Sequence, residues 1–160
     1  MHKESGIYTL QLDQLTQELK VFCRIDENEP SRPWTVIQRR VSDKVDFYRG
    51  WNEYKAGFGD LSESFWLGLE PIHLLTTEER HELRIEMEDF KGRKTVVNYD
   101  DFRIDSESNQ YNLASLGTFS GNSTDSLTTP HLNQKFSTKD RDNDKDNNSC
   151  AGGFHGAWWY

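Results

Sequence analysis

Long apolar runs and blocks of basic residues are missing from this chain, and cysteine and proline are scarce. Its 160 residues include two Cys and four Pro, 34% of positions are hydrophobic, and the mean hydropathy is −0.88. Each shortage excludes something. No run approaches the roughly 20 apolar residues that a membrane-spanning helix needs. The Met1-His2-Lys3-Glu4 start carries no hydrophobic stretch of the kind that heads a secretory signal. That leaves a cytosolic protein or a piece of a longer secreted one. The formal net charge of −8, with no Lys/Arg block set against it, repels phosphate backbones and anionic lipid surfaces, so neither nucleic acid nor membrane insertion is expected. Five His, at positions 2, 73, 81, 131 and 155, and two Cys form no zinc-ligand spacing. No glycine-rich phosphate loop precedes a helix. Cys23 and Cys150 could pair with each other, could be buried free thiols, or could each have a partner outside the sequence.

A core must therefore be built largely from rings. Five Trp, six Tyr and nine Phe are available, each able to bury about 150–250 Å². A domain of this length buries roughly 68–70% of the surface that its unfolded form exposes. Disordered sequences are poor in such residues.

The apolar pattern places the elements. Gly6–Leu12 and Leu19–Ile25 alternate apolar and polar positions, as half-buried strands of a hairpin do. Asp26–Pro33 reads as a turn, and Trp34–Arg40 as a third strand with Trp34, Val36 and Gln38 on one side. Phe47, Trp51, Tyr54 and Phe58 fall on one face of a helix that Gly57 and Gly59 stop. Phe65–Leu69 is a compact apolar run, and Ile72–Glu79 a short helix. His81–Phe90 alternates, with Leu83, Ile85, Met87 and Asp89 on one face and Arg84, Glu86 and Glu88 on a solvated one. Lys91-Gly92-Arg93 turns that strand into Lys94–Tyr99, with Phe102–Ile104 continuing the same sheet and Tyr111–Leu116 adding another strand. After Ser120 the composition shifts to Gly, Asn, Ser, Thr and Asp, and little regular structure is expected before Ala151. These parts predict an α+β fold of antiparallel sheets and short helices, without internal repeats.

Chemistry concentrates in the last 25 positions. Asp140, Asp142, Asp144 and Asp146 occupy every second position of one short loop. The plain reading is a solvated charge run. An EF-hand does not fit, because Lys145 stands where a Gly should turn the loop and Ala151 where a Glu should close it. Asp142 and Asp144 instead fall on the same side of an extended backbone, where they can share one cation, with Asp146 and Asn148 following. Hard oxygen donors at this density suit Ca2+, with carbonyls and water filling the shell. Phe154 lies among Gly152, Gly153 and Gly156, which leave room for a shallow cleft against its ring, suited to a small acyl or sugar group. Trp158 and Trp159 read as core. No enzyme is indicated: Cys150 and His155 lack a third orienting group, and Glu78 and Glu82 belong to a helix end and a strand start. Two N-x-S/T sequons begin at Asn122 and Asn147.

The segments Gly6-Ile7-Tyr8-Thr9, Val21-Phe22-Cys23, Trp34–Arg40, Asp46–Trp51, Tyr54–Gly59, Phe65–Leu69, Glu82-Leu83-Arg84, Asp125-Ser126-Leu127 and all of Phe136–Tyr160 resemble, in order, the fibrinogen C-terminal, or fibrinogen-related, domain of ficolins, tachylectins, tenascins and angiopoietins. The resemblance runs from about Ser5 to Tyr160. It implies a small N-terminal sheet, a central antiparallel sheet with short helices, and a loop-rich calcium and ligand subdomain, here incomplete. By position, Asp142 and Asp144 match the carboxylates with which the family ligates Ca2+, and Asp146 and Asn148 its backbone-carbonyl ligands. Phe154 matches an aromatic of the acetyl-group pocket, with His155 beside it on the ligand side. The family pairs the cysteine at 23 with one upstream and the cysteine at 150 with one after the Trp-Trp-Tyr run, and neither partner is among these residues. The implied role is an extracellular, calcium-binding recognition module for acetylated or other glycans, in a parent that forms homo-oligomers through another segment. The alternatives are a matrix or growth-factor-like ligand for a cell-surface receptor, and a truncated product without activity of its own.

Overall fold

The computed structural model describes residues 4–12, 14, 18–27 and 29–160. The Met1–Lys3 start, most of the connection expected to close the first hairpin and one position of the Asp26–Pro33 turn lie outside the described residues. Strands β1 (Gly6–Leu10), β2 (Leu19–Ile25) and β3 (Pro33–Val36) form an antiparallel sheet in that order. Ile7 faces Phe22 across one ladder, and Phe22 faces Val36 across the other. Val21 and Cys23 point to the buried side, as the alternation requires.

The expected Trp34–Arg40 strand is divided between two sheets. It bends at Ile37, and β4 (Gln38–Arg39) pairs instead in a second sheet. The cause is local: the Ile37 carbonyl accepts the Leu67 N–H at 2.9 Å, which ties the bend to the Phe65–Leu69 run. The helix expected over Phe47–Phe58 shortens to α1 (Trp51–Ala56). Phe47 stays in the extended approach, and Phe58 passes into β5 (Phe58–Gly59), which pairs with β6 (Phe65–Trp66). Three of the four rings are buried all the same, because the approach and β5 fold back over the helix. Gly57 explains the abrupt end. Its φ is +94°, and a Cβ there would lie 2.4 Å from the Leu67 carbonyl oxygen. Helix α2 runs over Leu69–Thr77, three residues earlier in starting than the sequence suggests.

Strands β7 (Leu83–Glu88) and β8 (Lys94–Tyr99) make the expected hairpin, in register from Leu83 against Tyr99 to Glu88 against Lys94. Its charged face is not uniformly solvated. Arg84 is 19% exposed, 3.1 Å from Asp26 and 5.5 Å from the Trp34 ring, while Arg24 pairs with Glu86 and Arg32 with Glu82. This charged strip joins the first sheet to the hairpin. Met87, expected inside, is half exposed.

Phe102–Ile104 does not continue that sheet. Strand β9 (Arg103–Ile104) pairs with β10 (Leu113–Ser115), and the place beside β8 is taken by β11 (Phe119–Gly121). The region expected to be irregular also holds α3 (Thr128–His131), β12 (Phe136–Ser137) and the start of α4 (Cys150–Gly153). Strand β12 pairs with β13 (Trp158–Trp159), placing Phe136 opposite Trp159. The Phe136 ring is fully buried at the centre of the core, 5.0 Å from Trp159, 5.4 Å from Tyr54 and 6.0 Å from Trp66. Among the described residues, no helix is long and apolar enough to cross a membrane.

Candidate functional site

The acidic loop leaves the core at β12, and its first carboxylate turns inward. Asp140 accepts the Trp51 N–H at 2.9 Å, which satisfies a free donor at the start of α1, and the Thr138 hydroxyl at 2.7 Å. Gly50 makes this approach possible, since a Cβ there would sit 2.7 Å from an Asp140 oxygen. Asp140 therefore holds the loop to the helix. Asn143 is also structural: its N–H donates to Ser137 Oγ at 3.0 Å and its side-chain amide to the Phe136 carbonyl at 2.7 Å.

The other acids form successive turns. Asp142, Asp144 and Asp146 each accept the N–H two residues on, at 3.2, 2.9 and 3.2 Å. The second Asp144 oxygen accepts the Cys150 N–H at 2.9 Å, and Ser149 Oγ accepts the Gly152 N–H at 3.1 Å. Loop and helix α4 are thereby closed on each other. Partial burial pushes the Asp144 carboxyl up, but the N–H groups of Cys150 and Asp146 outweigh it and hold the group below its ordinary range. Cys150 moves the other way. Burial, then the Asp144 hydrogen bond and the charges of Asp144, Asp146 and Asp142, keep it a protonated thiol.

Among the described residues no three His, Cys, Asp or Glu side groups converge into a cage. A cation here would be held by the Asp142 and Asp144 carboxylates together with backbone carbonyls and water. That all-oxygen donor set fits Ca2+, which takes six to eight oxygens in flexible geometry, and it does not fit zinc. Three histidines away from the loop are engaged elsewhere: His73, His81 and His131 each hold a backbone carbonyl, of Ile104, Glu79 and Trp159.

Helix α4 leads directly to an aromatic cleft of about 250 Å³. Phe154 follows the helix and is 74% exposed, with its ring stacked on Tyr160 at 5.8 Å. His155 takes a left-handed φ of +50° and sets its ring edge-on to Tyr48 at 5.1 Å. Both residues line the cleft with Trp158 and Tyr160, and Gln38 and Arg40 line it too. Of the nearby glycines, Gly156 lines the cleft. A Cβ at Gly153 would meet nothing within 4 Å, and one at Gly156 would be in ordinary contact with the Tyr160 hydroxyl. Of the two tryptophans, Trp159 is core, donating its ring N–H to the Tyr111 carbonyl at 2.7 Å, while Trp158 is part wall. Sequence reasoning missed Gln38 and Arg40. They lie two apart, so the period of two that gave the strand also put them on one face.

Cys23 and Cys150 are both free thiols and do not pair with each other. Burial raises Cys23 too, partly offset by a hydrogen bond with Thr35. Glu78 and Glu82 are tied to Gln14 and Arg32 respectively, so they do not face one another as an acid and base.

Comparison with known proteins bears on both features. The family model for the globular domain at the C-terminus of the fibrinogen beta and gamma subunits matches residues 1–160. The sequence is 46% identical to human ficolin-3 over 157 residues, 44% to chicken tenascin-R over 158, and 41% to mouse angiopoietin-related protein 2 over 159. These alignments take in 98–99% of the present sequence but only 51%, 11% and 31% of the three relatives, so it spans about half of their length or less. Among solved structures, the fibrinogen-like globe domain of human ANGPTL2 superposes with a TM-score of 0.92 at 41% identity, covering 99% of this protein and 72% of that one. A lamprey fibrin D-dimer complexed with the peptide Gly-His-Arg-Pro-amide gives 0.89 at 35% identity, covering 99% and 53%.

Proposed function

Because the chain belongs to the fibrinogen C-terminal domain family, we propose that it is an extracellular recognition module in which a Ca2+-holding loop supports a cleft for acetylated or other glycans. One observation carries the reading: the acidic loop and the cleft are two ends of one short helix. Asp144 grips the first residue of α4, Cys150, and Phe154 follows the last, Gly153. A divalent ion drawn to Asp142 and Asp144, with the carbonyls of Asp146 and Asn148, supplies the charge that lets crowded carboxylates stay ordered. The protein's own residues do the binding. Phe154 and Tyr160 offer stacked ring faces, Trp158 an apolar wall, and Gln38 and Arg40 polar groups that can orient a small acyl-bearing ligand.

Retention on an immobilised N-acetylated sugar, with release by free N-acetylated sugar or by EDTA, tests this. A protein that passes straight through while still taking up Ca2+ is no lectin. The second reading, a protein partner, would then stand. It is favoured by the peptide ligand of the lamprey structure, a ligand of that protein, and by the exposure of Phe154, which suits protein contacts. A single weak site of either kind gains strength by multivalency, in keeping with an oligomeric parent. A protein that takes up neither ligand nor Ca2+ would point to a product without independent activity.

A further inference from the structure

Of the two sequons, the structure assigns Asn122 as the N-glycosylated residue; this rests on the extracellular reading above. Asn122 directly follows β11 at the edge of the hairpin sheet, with Ser123 and Thr124 after it, and all three are exposed. Its amide is held in one orientation. Oδ1 accepts the Val96 N–H at 2.8 Å, while Nδ2 is only 3.5 Å from the Lys94 carbonyl, a weak contact that a substituent can replace. Sugar attached at Nδ2 therefore leaves the bond to Val96 intact. Space is available beside it, since Ser123, Met87 and Thr95 line an open groove of about 370 Å³. No hydrogen bond engages the Thr124 hydroxyl among the described residues.

The Asn147 sequon differs at each point. Its Ser149 hydroxyl caps α4 through the Gly152 N–H. Asn147 itself stands between Asp146 and Asn148, whose carbonyls belong to the proposed cation loop, inside consecutive tight turns. An accessible Asn-x-Ser/Thr surface segment is what glycosyl transfer needs, and the 122–124 segment, an exposed bend just past β11, supplies it. In the transfer, Asn122 Nδ2 bonds to the anomeric carbon of an oligosaccharide carried on a polyprenyl pyrophosphate. The bond from that carbon to the pyrophosphate oxygen breaks, the electron pair leaves with the pyrophosphate, and the amide loses one proton.

The test is translation of the full sequence behind a secretory leader into endoplasmic-reticulum microsomes, followed by peptide N-glycosidase and mass mapping of the Asn-to-Asp conversion. The expected result is a glycosidase-sensitive gel shift that maps to Asn122 and persists in Asn147→Gln. It should be lost in Asn122→Gln and also in Thr124→Ala, which keeps the amide and its bond to Val96. A translocated, protease-protected product with no sugar, or with sugar on Asn147 alone, overturns the assignment. That outcome leaves the reading of loop and cleft untouched, just as failure of sugar or Ca2+ binding leaves the Asn122 assignment untouched.

Discussion

The β7–β8 hairpin and the stretch from Asn122 to Tyr160 are held together by different means. In the hairpin the backbone ladder satisfies the polar groups, and side chains only choose a face. In the later stretch, paired strands amount to two residues each, and side chains do the work of the ladder: Asp125, Ser137, Asp140, Asn143, Asp144 and Ser149 all accept from or donate to backbone groups. Around these bonds sit the rings of Phe136 and Trp159. A single substitution at an exposed position of the hairpin should therefore cost little, whereas the later stretch should fail at individual residues.

The largest effect should come from the point where that stretch meets the core. Phe136→Ala removes a fully buried ring in contact with four other aromatics, Trp51, Tyr54, Trp66 and Trp159. The expected loss is about 3–5 kcal/mol in chemical denaturation. A loss under about 1 kcal/mol would mean that the two regions are held by the same means after all.

Next is Asp144→Ala, which strips the Asp146 and Cys150 N–H groups of their acceptor. Two partly solvated hydrogen bonds make this about 1–2 kcal/mol without any ion. The sharper readout uses millimolar Ca2+. A ligand bound only by the folded state must raise its melting temperature, and that rise should be present in the parent and absent from Asp144→Ala and Asp142→Ala. No rise in the parent would remove the ion from the loop while leaving its hydrogen bonds in place.

How much of this was legible in the sequence follows from the same division. A period of two is visible in a string of letters, so β1, β2, β7 and β8 could be read within a residue or two. The helical spacing of Phe47, Trp51, Tyr54 and Phe58 was real as a shared buried face, yet Gly57 let an extended segment supply part of it. What could not be read was long-range capping. Nothing near Asp140 announces that its partner is Trp51, 89 positions away, and only the fold shows that Arg40 lines the same cleft as Tyr160. The acidic spacing and Phe154 were visible because they are local. The inward turn of Asp140, which takes one carboxylate away from any cation, was not.

Asp125 gives a third, smaller contrast. It accepts the Tyr99 hydroxyl at 2.8 Å and the Leu127 and Thr128 N–H groups at 3.0 Å, joining the two regions where β8 ends. Burial alone would raise this carboxyl, but the hydrogen bonds from Thr128, Tyr99 and Leu127 outweigh it and hold it at about 2. A folded-state value below the unfolded one stabilises the fold above the ordinary carboxylate range, and that contribution is lost as pH falls from about 4 toward 2. Asp125→Asn should therefore cost about 1 kcal/mol at neutral pH and flatten the acid limb of a stability–pH curve. An acid limb unchanged in the variant would assign it to other carboxylates.

The smallest effect belongs to the hairpin tip. Phe90 is fully exposed just past β7, and the turn beneath it is fixed by Asp89, which accepts the Lys91 and Arg93 N–H groups at 2.8 and 3.0 Å. The ring takes no part in that turn. Phe90→Ala should change stability by no more than about 0.5 kcal/mol, although the residue is as large and apolar as Phe136. Two phenylalanines in one protein should thus differ several-fold in what they contribute, for a reason that residue type does not carry: one ends a ladder that the backbone already satisfies, and the other is the ring on which a ladder-poor region closes. A loss at Phe90 comparable to that at Phe136 would show that the tip is buried in solution, and the hairpin would then need a covering surface that its own hydrogen bonds do not require.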